Sequence, residues 1–272
     1  MQLLLKLLYT WTRRRVYNLL MPLYKAEAIN IKVIPFAETD KLLTIFSKEK
    51  GKLNLIAKGA RRTSSKFGGR CEILAHNFLL AAQGRSLDIL SQAETIDTFQ
   101  EIRDKPAAFA SAAYLVRILN DFLGEKVNNL LLFDVFLGCL RGLRARLDPG
   151  LVTAAFEAKF VQAEGLFPVI DRCAHCGRRL KKKPEKVAFS RVAGGIVCQP
   201  CSKKVPALQQ IHYKILEVAQ GLRDTDLEIF SEGGAGDKKQ IPGSLELKEL
   251  SRIFVPYISE HLGKDVSDWR KI

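Results

Sequence analysis

The sequence contains no uninterrupted apolar run of about 18 residues, so nothing in it reads as a membrane-spanning helix. Its nearest approach, MQLLLKLLYTWTRRR at the start, is broken by Lys6 and carries the main positive cluster after the apolar stretch, the reverse of a secretory signal. A cytoplasmic chain without stable membrane association is therefore expected. Histidine is scarce, and none of His76, His175, His212 and His261 is followed by x-Glu, so the His-x-Glu of the zinc deaminases is missing. There is no G-x-x-x-x-G-K-[ST], which excludes nucleotide hydrolysis through a P-loop. Acid is also missing locally: Lys58 to Arg70, KGARRTSSKFGGR, holds Lys58, Arg61, Arg62, Lys66 and Arg70 with no Asp or Glu. Such a stretch suits a polyanion.

With 272 residues and 47% hydrophobic content, the chain can bury a real core and divides into more than one unit. Its net charge of +14 is not spread evenly. Residues 1–20 hold 4 cations and no acid, and 21–100 hold 12 cations against 8 acids. Residues 101–170 balance at 8 and 8, 171–205 hold 10 cations against 2 acids, and 206–272 hold 9 against 11. Positive charge localised on two segments is the footprint of a nucleic-acid or anionic-surface binder.

The cationic stretch lies between two strands. KLNLIA (Lys52 to Ala57) alternates apolar and polar residues before it, and Ile73 to Ala82 extends after it. With Ala28 to Val33, Lys41 to Ser47 and Leu87 to Thr98, five strands fall between Tyr24 and Phe99, joined at Glu49-Lys50-Gly51 and Gln83-Gly84-Arg85 by turn residues. Five short strands with a cationic loop between the third and fourth predict an OB-type barrel, a fold that binds single strands with a basic groove and aromatic platforms. Phe36, Phe46, Phe78 and Phe99 are expected mostly to fill that barrel. Phe67, inside the loop, reads either as a base-stacking platform or as an anchor that packs the loop, and the anchor is the stronger reading.

Helices follow. Pro106 opens a helix to Leu123, Asn129 to Leu147 forms a second, and a third starts with Asp148 as cap and Pro149 in first position and ends at Gly165. Leu130 to Leu137 reads as bundle core or, less well, as an exposed partner groove. Pro206 to Arg223 is predicted helical, Gly233 to Gly236 forms a flexible loop, and Ser244 caps a last helix ending near Gly263. Cys71 and Cys139 are expected as small buried groups.

The most specific chemical signal is Cys173-x-x-Cys176 and Cys198-x-x-Cys201. A two-residue gap lets both sulfurs of a knuckle reach one ion, and two such pairs complete a closed tetrahedral structural zinc site, one per chain. Disulfides are the competing reading, disfavoured in a cytosolic chain. Four thiolates on Zn²⁺ leave −2, so the segment stays cationic at about +6. Arg178, Arg179, Lys181, Lys182, Lys183 and Lys186 lie between the pairs; Lys181 and Lys182 are candidate phosphate contacts, a solvated loop being the alternative.

These features in this order carry a resemblance. YKAEAINIKV, TDKLLTIFSKEKGKLNLIAKGARR, SKFGGR, SQAE (Ser91 to Glu94) and the late cysteine pairs together resemble the RecO family of bacterial recombination and repair proteins. The likeness is specific from Met21 to Cys201 and looser beyond. It implies an α+β multidomain protein: an N-terminal OB-fold DNA-binding domain (21–100), a C-terminal helical domain (101–170 and 206–272) and a zinc-binding insertion (171–205). It also implies a non-catalytic, nucleoid-associated mediator that binds single- and double-stranded DNA, anneals complementary strands and, with RecR, helps load RecA on strands coated by SSB. Residues 1–20 depart from the pattern and read as an extension or a mis-called start, since Met21 opens a segment that looks like a beginning. Two other functions fit the residues less well: an RNA-binding OB plus zinc-knuckle protein, and a zinc-dependent enzyme acting on nucleic acid.

Overall fold

A computed structural model describes residues 22–225 and 242–266. The N-terminal extension and the Gly233 to Gly236 loop lie outside them. Described residues up to Phe99, together with 119–130, form one compact unit; 100–118 with the described residues from Leu131 onward form another.

The first unit is a closed barrel of β1 (Leu23–Phe36), β2 (Asp40–Ser47), β3 (Gly51–Ala57), β4 (His76–Ala82) and β5 (Asp88–Asp97). The strands run in the order β1-β2-β3-β5-β4, with β3 and β5 parallel and the other pairs antiparallel. Alternation explains β3: Leu53, Leu55 and Ala57 point inward and the residues between them are half-buried. Leu43, Ile45, Leu79 and Leu90 complete the core from the neighbouring strands.

Because β3 meets β5 only at Leu55 and Ile56, its first residues present an open edge. Segment 119–130 covers that edge. The Lys126 N–H donates to the Lys52 carbonyl at 3.0 Å, Lys52 Nζ reaches the Asn120 carbonyl at 2.8 Å, and Asn54 donates to Glu125 at 3.0 Å. Gly51 is required there: its φ is +67°, and a Cβ would sit 2.0 Å from the Val127 carbonyl oxygen.

After the one-turn α1 (Gln100–Arg103) come α2 (Pro106–Phe122), whose residues up to Ile118 belong to the second unit, α3 (Leu130–Arg144), which belongs to it from Leu131, and α4 (Pro149–Ala163). Asp148 caps α4 as its position predicts, accepting the Leu151 N–H at 2.8 Å. Helix α4 is apolar nearly all round and correspondingly buried, from Val152 to Ala158 and at Phe160 and Val161. Of the run at the start of α3, Leu130 and Leu131 are exposed while Leu132, Phe133, Val135, Phe136 and Leu137 are buried.

The insertion is more regular than the sequence suggests. Strands β6 (Lys186–Ser190) and β7 (Gly195–Val197) pair, the one-turn α5 (Gln199–Ser202) follows, and β8 (Leu208–His212) joins β6 on its other side. Strand β8 corrects the single helix expected over Pro206 to Arg223; only α6 (Tyr213–Asp224) is helical. Ile211 satisfies both periods, and the free edge of β6 decides between them by pairing Val187 with Ile211. The last helix, α7 (Ser244–Leu262), is capped by Gly243 rather than Ser244, with the Gly243 N–H donating to Glu246 at 3.0 Å, and it ends at Gly263 in the left-handed conformation. Helices α4, α6 and α7 pack together, and Lys159 Nζ closes the end of α6 on the Arg223 and Thr225 carbonyls. No helix among the described residues is long and apolar enough to cross a membrane.

Candidate nucleic-acid interface and metal centre

The β3–β4 connection is a fixed structure, not a solvated tip. Phe67 is 2% exposed and belongs to the barrel core beside Cys71 and Leu90. Burial makes it the anchor and removes it from any base-stacking role. A turn of 3₁₀ helix (Gly68–Cys71) follows, held by the side-chain amides of Asn30 and Asn77, which both donate to the Arg70 carbonyl.

The five cations divide into two groups. Arg61 donates through Nη1 to the carbonyls of Ala37 and Glu38 at 3.1 Å, and its N–H bonds Thr39, so the loop is fastened to the β1–β2 turn. Lys66 reaches the Ser91 carbonyl on β5 at 2.8 Å, and Arg70 bonds the Lys66 carbonyl at 3.1 Å. Lys58 and Arg62 are exposed, and among the described residues their side chains form no hydrogen bond or ion pair; the Arg62 backbone bonds Gly59 and Ser65. Asp40 completes the fastening by accepting the Gly59 N–H at 2.8 Å. That bond first, then the Thr39 hydroxyl, with Lys58 and Arg62 nearby, holds the Asp40 carboxyl below the usual carboxylate range. Tied cations set the loop's shape, and exposed ones face outward from it.

The aromatics sort differently from the sequence expectation. Phe46 and Phe99 are buried, but Phe36 is 41% and Phe78 is 54% exposed. Phe78 stands opposite Glu27 on β1 and Glu94 on β5, acids that repel a phosphate backbone. Phe36 ends β1 beside the turn that Arg61 holds. Its signal in the sequence was an aromatic directly before the turn residues Ala37-Glu38-Thr39, one strand away from the basic loop.

The second cluster is the four cysteines, whose sulfurs all lie within 4.8 Å of one another. A thiolate lies about 2.3 Å from zinc, so sulfurs of a tetrahedral site stand about 3.8 Å apart. Cys176 and Cys198 are 3.7 Å apart, sulfur to sulfur. Gly177 makes the first turn with φ +73°, its N–H bonded to the Cys173 carbonyl, and the Cys201 N–H closes the second turn on Cys198. Burial raises the Cys173 thiol, but the N–H groups of Cys198, Cys176 and His175 outweigh it and bring the pKa down to about 6, while hydrogen bonding with Cys198 first, then burial, pushes Cys201 up to about 12. The donor set fits a soft tetrahedral ion. Val197, Ala193, Val205 and Leu208 shield it. Cys71 and Cys139 are fully buried elsewhere, where burial pushes their thiols up to about 11 and about 12.

Two family models match the chain, "Recombination protein O N terminal" over residues 21–99 and "Recombination protein O C terminal" over 103–270. The chain belongs to the RecO family. A DNA repair protein RecO from Desulforamulus reducens is 30% identical over 240 residues, 88% of this chain and 91% of its own length. The RecO of Shouchella clausii is 33% identical over 182 residues, covering 67% of this chain and 70% of its own. That of a Roseiflexus species is 29% identical over 238 residues, 87% of this chain and 81% of its own. The barrel falls in the first matched segment, and the cysteine cluster falls in the second.

Proposed function

We propose that this chain is a non-catalytic DNA repair mediator, acting in the cytoplasm on nucleoid DNA. It binds single- and double-stranded DNA, anneals complementary strands and, with RecR, helps load RecA on single strands coated by SSB. The observation that carries the reading is the β3–β4 loop, a cationic surface anchored by Phe67 and fastened by Arg61, Lys66 and Arg70, with Lys58 and Arg62 outward. Preset cations contact a phosphate backbone with little ordering cost, and neutralising phosphate charge is what two strands need before they pair. Phe36 is the stacking platform beside them, in place of Phe67. Cys173, Cys176, Cys198 and Cys201 hold one structural zinc, which cross-links the two knuckles when bound. Lys181 and Lys182, exposed in the insertion, are further phosphate contacts.

The test is annealing of complementary oligonucleotides by purified protein without nucleotide. Rapid annealing, with single-stranded DNA competing at least as well as RNA of equal length, is the expected result. A requirement for ATP, cleavage of the substrate, or clear preference for RNA would contradict it.

A further inference from the structure

One arrangement in the insertion serves neither its fold nor its metal site. Asp171–Cys173 runs antiparallel to Arg178–Leu180 across the first knuckle, and Arg172 and Arg179 are bridge partners in that small hairpin. The Cys173 N–H bonds the Arg178 carbonyl at 2.8 Å, and the Leu180 N–H bonds the Asp171 carbonyl at 3.0 Å. The bonds flank the two arginines rather than join them. They therefore occupy the non-hydrogen-bonded position, where side chains on neighbouring strands approach most closely. Both are exposed, and among the described residues neither forms an ion pair.

Like charges directly opposed destabilise a strand pair. Asp171 does not relieve them, because strand alternation turns it to the other face. Two other cations of the insertion do have acidic partners: Lys183 pairs with Glu217 at 2.6 Å and Arg191 with Glu260 at 3.2 Å. Arg172 and Arg179 are instead left facing solvent together, with the exposed Lys181 and Lys182 following in the chain. Each guanidinium is a planar fork matched to a phosphate, and two forks side by side need a ligand that brings repeated negative charge.

We infer that Arg172 and Arg179 form a clamp for a phosphodiester backbone, and that this hairpin takes the second strand during annealing while the barrel loop holds the first. The inference rests on the DNA-binding reading above and adds a site to it. Two strands held by separate surfaces of one chain give annealing a physical basis that a single cationic loop does not.

The experiment uses the full, zinc-loaded chain with two variants, R172Q/R179Q and R172E. R172E places Glu opposite Arg179, a favourable cross-strand pair, so a purely structural site would be kept or strengthened by it. Both variants should retain their zinc and melt no lower than wild type. Affinity for one short single-stranded oligonucleotide, read by fluorescence anisotropy, should stay within about threefold of wild type, because the barrel loop is intact. The annealing rate should fall at least about tenfold, and for R172Q/R179Q its log–log salt dependence should flatten by about 1.4, from about 0.7 for each lost contact. Annealing at the wild-type rate would overturn the clamp, as would a loss of first-strand affinity as large as the loss in annealing. If the wild-type chain itself bound no DNA, the barrel reading would fall first; if it bound and annealed while the variants matched it, only the hairpin clamp would fall.

Discussion

Two cationic segments of this chain hold their charge in opposite ways. On the barrel, Arg61, Lys66 and Arg70 spend donors on carbonyls, Phe67 fills core volume, and two cations remain outward. In the insertion, the hairpin carrying Arg172 and Arg179 is held by two backbone bonds beside a cysteine cluster. The barrel loop takes its shape from a hydrophobic core, and the hairpin takes its shape from a knuckle. Lys58 and Arg62 can be changed without touching the bonds that hold the first, whereas the second rests on the cysteine knuckle. That difference separates variants that test binding from variants that test folding.

Removing the metal should have the largest effect and should fall on one side only. Structural zinc supplies on the order of 10 kcal/mol of apparent folding free energy in small knuckles. Chelation, or Cys198→Ser, should therefore abolish hydrogen-exchange protection at Cys173, Gly177 and Cys201 while the amides of β1 to β5 keep theirs. Elemental analysis should find one zinc per chain in wild type. Loss of barrel protection on chelation would erase the contrast.

Phe67→Ala should come next, costing about 3–5 kcal/mol in urea unfolding because it empties a site in the barrel core. It should also weaken DNA binding although the ring touches no DNA. A cost under about 1 kcal/mol would mean that the loop is not anchored through the core.

Arg61→Gln should be milder, about 1 kcal/mol or less for exposed hydrogen bonds, and should show chiefly as faster exchange at the Arg61 amide. Unchanged exchange would remove Arg61 from the fastening.

The smallest effect concerns pH. Tyr24 donates to Asp88 at 2.5 Å, and burial first, then that carboxylate, raises the phenol above its ordinary range. Its contribution to stability is whole below about pH 10 and is lost as pH rises, because the unfolded phenol then ionises more readily than the folded one. Urea midpoints should fall between about pH 9 and 11 in wild type and fall less in Tyr24→Phe. Equal falls would assign the alkaline loss to other groups.

The strands were legible because a barrel wall is buried on one face, so Leu53, Leu55 and Ala57 alternate visibly. The cysteine pairs were legible because ligand spacing is local. Contacts between distant segments were not. Nothing in residues 119–130 signals that they cover the edge of β3, and Leu208–His212 became a strand only because β6 offered a partner. The basic loop could be found by composition, but which cations are tied depends on carbonyls at Ala37, Glu38 and Ser91. Phe67 is the buried anchor of the stronger sequence reading, whereas Phe36, expected to fill the barrel, is exposed, and which ring is buried follows from how the barrel closes.

The role proposed for the barrel loop is to clamp DNA through Lys58 and Arg62, the cations its fold leaves outward. Its most direct test is the salt dependence of single-strand binding by K58E/R62E against wild type. The two outward cations contribute about −1.4 to the log–log slope at about 0.7 per contact, and K58E/R62E should flatten the wild-type slope by at least that much. Zinc content and melting temperature should stay at wild-type values, because exposed charges contribute little to stability. A slope and affinity equal to wild type, in a variant that folds and holds its metal, would show that the clamp is not this loop.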